Sequence, residues 1–164
     1  REAFNWRHNS ILLNFARAAK ALPCVTVYSD IEECPEFASP SLISGDSFRP
    51  DFIAVKGNDV FVMELTVGFE PNMHKNASRK QHRYQSLLNE MSKTSSVHFL
   101  NLSMGAAGII GNDATNIVEW MNDIGFSNTM SDYLIKKTIH IFIRATYYLF
   151  SCRDKPWEAL KLMS

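Results

Sequence analysis

Three residues carry most of the chemical potential of this sequence: Asp51, Glu64 and Lys80. Asp51 opens the run DFIAV, Glu64 lies inside VFVMELTV, and KGND separates the two runs. Two apolar, β-rich runs around Gly57-Asn58 predict a tight hairpin. With those two residues as the loop, Lys56 pairs with Asp59, Val55 with Val60, Ile53 with Val62 and Asp51 with Glu64. Side chains alternate along a strand, so Asp51, Ile53 and Val55 share a face with Val60, Val62 and Glu64. Directly opposed residues have Cβ atoms roughly 4.5–5.5 Å apart. Two carboxylates that close repel each other and need a proton or a cation between them. A hard divalent ion such as Mg²⁺ takes oxygen ligands and suits the pair. The plainer alternative is a solvated acid at a strand end, with the register shifted by one.

The lysine comes from the segment after the hairpin. Asn72 is a candidate cap for a helix running to about Met91, with an apolar stripe of Met73, Ala77, Tyr84, Leu87, Leu88 and Met91. The gap in that stripe is filled by Lys80. A charge within a buried stripe is costly without a partner, and a carboxylate pair with its metal is one. The competing expectation is that Lys80 lays its stem along the core and exposes its ammonium. Lys75, Arg79 and Arg83 fall on the neighbouring face, where a phosphate backbone can be met.

The elements that must position these groups follow from the remaining pattern. Asn9 before Ile11, Leu12, Phe15, Ala18, Ala19 and Leu22 predicts a capped amphipathic helix that Pro23 stops, with Arg7 and His8 ahead of it. Cys24–Tyr28 predicts a strand, residues 30–50 a loop, and Val97–Ser103 a further strand. Gly105, Gly108 and Gly111 predict a loop after it. Helices are expected at Thr115–Ile124 and Ser131–Phe150. The order implies an α/β fold with a central mixed β-sheet flanked by helices.

Composition sets outer bounds. The 164 residues are 46% hydrophobic and read as one domain, 1–164. Lys+Arg and Asp+Glu both number 17, so nucleic acid must be met by a local basic surface. Cys24, Cys34 and Cys152 form neither a disulfide framework nor a zinc signature, which fits a reducing compartment. Ile139–Phe150 is apolar but short and carries His140 and Arg144, so it reads as a core helix and no membrane span is expected. An opening on Arg1 rather than Met suggests a domain excised from a longer polyprotein.

Arg49-Pro50-Asp51 followed by Glu64 resembles the PD-(D/E)XK nuclease superfamily, a restriction-endonuclease-like core. Thr66 stands where the usual lysine would be. Lys80 matches the branches in which that lysine is displaced onto the helix after the hairpin. A closer likeness covers nearly the whole chain. It is carried by Trp6-Arg7-His8-Asn9, Arg49-Pro50-Asp51, Glu64-Leu65-Thr66-Val67, Phe69-Glu70, Arg79-Lys80 through Arg83-Tyr84, the glycine loop after the Val97 strand, and Ser151–Trp157. In that order they resemble the restriction-like endonuclease domain that follows the reverse transcriptase in certain non-long-terminal-repeat retrotransposons.

That resemblance implies a domain acting in the nucleus. It would nick a target DNA duplex to leave a 3′-hydroxyl for target-primed reverse transcription, alongside the upstream reverse transcriptase and DNA-binding domains of the same polyprotein. Carried over, Asp51 and Glu64 bind Mg²⁺ or Mn²⁺ with the Leu65 carbonyl as third ligand, and Lys80 orients water or neutralises the phosphorane. Tyr84 would position Lys80 or a phosphate. Asp30 is either an extra acid near the metal or a loop acid capping a turn. Arg7 and His8 either reach the site or DNA or simply pack the N-terminus. Gly68 and Pro71 depart from the family pattern beside Phe69-Glu70. The same PD, ELT and downstream-lysine arrangement is also similar to cap-snatching endoribonucleases of segmented negative-strand RNA viruses. A catalytically inactive nucleic-acid-binding module on the same fold is the third expectation.

Overall fold

The computed structural model describes residues 2–40, 49–68, 79, 82, 84–105, 108–109, 117–158 and 160–164. Helix α1 spans Glu2–Lys20 and strand β1 spans Thr26–Ser29. A 3₁₀ turn at Pro35–Phe37 precedes β2 (Phe52–Lys56) and β3 (Asp59–Val67). Helix α2 is described at residues 79, 82 and 84–92. Then come β4 (Ser96–Gly105), β5 (Gly108–Ile109), α3 (Ile117–Ile124) and α4 (Asn128–Ser151). The strands form one sheet in the order β1-β2-β3-β4-β5, parallel between β3 and β4 and antiparallel elsewhere. The chain is therefore α/β with a mixed sheet flanked by helices. None of the described helices is long and apolar enough to cross a membrane.

The hairpin has the register expected from its turn. Gly57 takes φ +59°, a left-handed conformation that glycine adopts without strain. Lys56 then pairs with Asp59 and Phe52 with Met63. Alternation sorts the sheet into two faces. Phe52, Ala54, Phe61, Met63 and Leu65 join Leu100 and Leu102 beneath α1, α3 and α4, in the larger core. Ile53, Val60 and Val62 face the other way, with Val97 and Phe99, and receive Leu88 and Met91 of α2. A parallel β3–β4 pair needs a crossover, and the sequence between them supplies α2 on this second face.

Several boundaries differ from expectation. Asn9 does not cap α1; it lies inside a helix that begins at Glu2, and Arg7 and His8 are helical. The cause is tertiary: Trp6 packs 5.6 Å from both Tyr148 and Trp157 and donates Nε1–H to the Lys161 carbonyl at 3.0 Å. Asn9 spends its amide on Glu33 Oε2 (2.8 Å), and Ser10 donates to the Trp6 carbonyl (2.8 Å), so neither side chain caps a helix start. Gly105 and Gly108 close an antiparallel hairpin instead of a loop, while Gly111 lies outside the described residues. Ser127 caps α4 by accepting the Met130 N–H at 3.1 Å, starting that helix earlier than Ser131. Its apolar C-terminal half is not wholly core. Ile141, Phe142 and Ala145 are buried, but Ile143, Tyr147 and Phe150 are exposed because α4 covers the sheet with one face only.

Candidate active site

The second face of the sheet changes character along its strands. On β3 the inward positions run Val60, Val62, Glu64, Thr66, and their partners on β4 run Val97, Phe99, Asn101, Ser103. The first half of each series is apolar and packs on α2; the second half is polar. Glu64 (1% exposed), Thr66, Asn101 and Ser103 are all buried. These four lie toward the C-terminal ends of the parallel pair, the edge of an α/β sheet where ligands commonly bind. The C-terminal end of β1 and the start of β2 reach the same edge, because β1 runs antiparallel to β2 and β2 to β3.

Asp51 is fixed there from several directions. Its N–H donates to Glu64 Oε1 at 3.1 Å, and its Oδ2 accepts the Leu65 N–H at 2.8 Å. The two acids are thereby interlocked across the hairpin, as the register predicts. The Asp51 carbonyl accepts the Ser29 hydroxyl at 2.7 Å and the Asp30 N–H at 3.2 Å. Tyr84, buried on α2, donates its hydroxyl to the Arg49 carbonyl at 3.1 Å, pinning the approach to Asp51. His8 reaches in from α1, with Nε2 3.4 Å from Asp51 Oδ2. Its Nδ1 lies 3.4 Å from Asn9 Oδ1, and Asn9 is held by Glu33. Each carboxylate thus has one oxygen oriented by a backbone N–H.

The structure brings together Asp51, Glu64, Leu65, Thr66, Tyr84, His8 and the main chain of Asp30. Leu65 contributes its N–H here, while its side chain packs in the larger core. Asp30 is exposed. Arg49 and Arg79 are exposed, whereas Lys80, Lys75 and Arg83 lie outside the described residues. Arg7 turns away from the acids: it is buried, and Nη1 donates to Thr146 Oγ1 at 2.9 Å. Desolvation by burial holds its guanidinium below the usual arginine value. Ser29, Asn101 and Ser103 escaped the sequence reading. The alternation Val97, Phe99, Asn101, Ser103 held the signal for the last two, since it mirrors Val60, Val62, Glu64, Thr66 one strand away.

Oxygen donors from Asp51 and Glu64 suit a hard divalent cation. Thr66 supports that fit: its Oγ1 is buried and finds no hydrogen-bond partner among the described residues, a state native proteins usually resolve with water, an ion or a ligand. No group of three or more His, Cys, Asp or Glu side chains is gathered for a metal among the described residues. Neither a protein-family model nor a curated protein matches the chain.

Proposed function

We propose that this chain is a divalent-metal-dependent DNA endonuclease built on a PD-(D/E)XK-like core. The observation that carries the reading is the interlocked pair: Asp51 N–H on Glu64 Oε1, and Leu65 N–H on Asp51 Oδ2. A buried carboxylate held beside a second one is expensive unless a positive charge joins them. A structural role alone would be served as well by neutral side chains. In this reading Asp51, Glu64 and the Leu65 carbonyl hold Mg²⁺ or Mn²⁺. When bound, the ion supplies Lewis-acid polarisation of the phosphodiester.

The chain's own residues then do the rest. Ser29, the Asp30 N–H and Tyr84 keep the Asp51 segment from drifting, and the backbone N–H of Leu65 sets the rotation of its carboxylate. Lys80, which follows the hairpin in the sequence, orients the attacking water or offsets charge at phosphorus. Arg79 is exposed on α2 for a phosphate, with Lys75 and Arg83 in the same role. The retrotransposon resemblance extends the reading to nicking of target DNA in the nucleus. The freed 3′-hydroxyl would prime reverse transcription by a neighbouring domain of the same polyprotein.

Nicking of supercoiled plasmid with Mn²⁺ tests the reading, with single-stranded RNA as a second substrate. Nicking that stops in Asp51→Asn and in Glu64→Gln supports it. Cleavage of RNA in preference to DNA would move the substrate to the endoribonuclease alternative. No cleavage of either by a folded protein would leave a nucleic-acid-binding module.

A further inference from the structure

Between α1, α4 and the end of β3 lies a cavity of about 560 Å³ whose lining includes Phe4, Arg7, Gly68, Phe142, Phe150 and Arg153. Pockets of this size hold small organic ligands. Its walls are mostly aromatic and aliphatic, yet two guanidiniums border it. Arg7 sits 5.7 Å from the centre of the Phe4 ring and 5.4 Å from that of Phe142, and Arg153 sits 4.2 Å from that of Phe150.

Arg7 is the unusual member. It is only 9% exposed, and no carboxylate pairs with it among the described residues. Thr146 takes Nη1, and the buried Nε has no hydrogen-bond partner among the described residues. A buried cation without a counter-charge is costly, so the site is charge-complementary to an anion. Arg153 differs: it is exposed and lies 3.5 Å from Asp154. The rim carries two large rings facing water, Phe4 at 62% and Phe150 at 63% exposed. An anion joined to a flat aromatic ring matches both features. An aliphatic chain would fill the volume but leave the exposed rings without a stacking partner.

Position narrows the ligand further. Val67, also in the lining, packs on the larger core, across the sheet from Glu64, but it ends β3 at the same edge as the acids. His8 of α1 contacts Asp51 at that edge. A nucleic-acid strand that crosses the acid pair and turns over this edge comes to the cavity. We propose that the cavity is a subsite for one unpaired nucleotide next to the cut, with its base stacked on Phe4 and Phe150 and its phosphate on Arg7 and Arg153. The ligand class rests on the nuclease reading above. Bases stack on aromatic and guanidinium planes in single-strand-binding proteins, and such stacking tolerates any base.

The test is binding without metal, so that cleavage plays no part. Fluorescence anisotropy in EDTA measures labelled oligothymidine against the 164-residue chain, with oligodeoxyuridine, oligouridine and an abasic oligonucleotide of equal length beside it. Phe4→Ala and Phe150→Ala alter exposed rings and should leave the circular dichroism spectrum unchanged. Each is expected to weaken oligothymidine binding roughly tenfold, the scale of one base–aromatic stack. Arg7→Lys, which keeps the charge and loses the planar donors, should weaken it as well. The abasic strand should bind no better than the Phe variants bind oligothymidine. Oligodeoxyuridine against oligouridine, which differ only in the 2′-hydroxyl, identifies the sugar that the subsite takes. Wild-type affinity in both Phe variants, or equal affinity for the abasic strand, overturns the proposal. A chain that nicks plasmid but fails these tests loses only the subsite. One that passes them without nicking keeps the subsite and loses the nuclease.

Discussion

The hairpin carries a carboxylate–imidazole pair at each end, and the two pairs are built differently. At the turn, His98 Nε2 lies 3.0 Å from Asp59 Oδ1, with side chains 34% and 48% exposed. At the open end, His8 Nε2 lies 3.4 Å from Asp51 Oδ2, with side chains 25% and 15% exposed. The shorter pair is the more exposed one. His98 stacks on Phe61 at 4.6 Å and its carbonyl accepts the Trp120 indole N–H, so the residue is part of the packing between β4 and α3. Asp51 is instead bound through both its main chain and its side chain to Glu64, Leu65, Ser29 and Asp30. What the open end adds to an acid beside a histidine is a second, buried acid and a clamped backbone.

The largest expected effect separates the two ends by activity. Asp51→Asn and Glu64→Gln preserve shape and hydrogen-bond acceptance but remove the charge that a cation requires. Each should lower the nicking rate by on the order of 10²–10³ or more, the scale of losing one well-aimed electrostatic contact. Asp59→Asn should nick plasmid like the parent. Equal losses at both ends would mean that the acids serve the hairpin and not the chemistry.

Metal should separate them next. An ion that binds only the folded chain stabilises it by about 2.7 kcal/mol at a hundredfold excess over Kd. For a domain of this length that is roughly 5–10 °C in Tm. Thermal melts should show this rise with Mn²⁺ for the parent and for Asp59→Asn, and no rise for Asp51→Asn or Glu64→Gln. A rise that survives in Glu64→Gln would place the ion elsewhere.

The same contrast explains what could be read from residues alone. The hairpin register was legible because Gly57 requires a left-handed turn and a two-residue loop leaves one pairing. The Asp51–Glu64 juxtaposition followed directly from it. The helix start at Glu2 was not legible: Asn9 looks like a cap until its distant partner Glu33 occupies the side-chain amide. Asn101 and Ser103 were hidden for another reason. Their polarity has no meaning until β4 is known to lie parallel to β3 in the register that sets them beside Glu64 and Thr66.

A smaller effect comes from the clamp. Ser29→Ala removes the 2.7 Å bond to the Asp51 carbonyl and leaves the Asp30 N–H bond in place. The cost to stability should be about 1 kcal/mol. A modest misplacement of a reacting group costs rate, so kcat should fall severalfold while KM stays, and Ser29→Thr should restore it. A change confined to Tm would reduce Ser29 to a structural bond.

The smallest effect probes the turn pair itself. A double-mutant cycle on Asp59→Asn and His98→Gln isolates their coupling from what His98 contributes by stacking on Phe61. Both side chains are about a third exposed or more, so solvent screens the pair and its coupling should fall in the range of exposed pairs, roughly 0.2–1 kcal/mol. It should also shrink as salt is raised, since screening at exposed charges grows with ionic strength. A coupling well above that range and indifferent to salt would show that solvent exposure does not distinguish the two ends. The weight of the contrast would then rest on Glu64 alone, the one buried acid for which the turn has no counterpart.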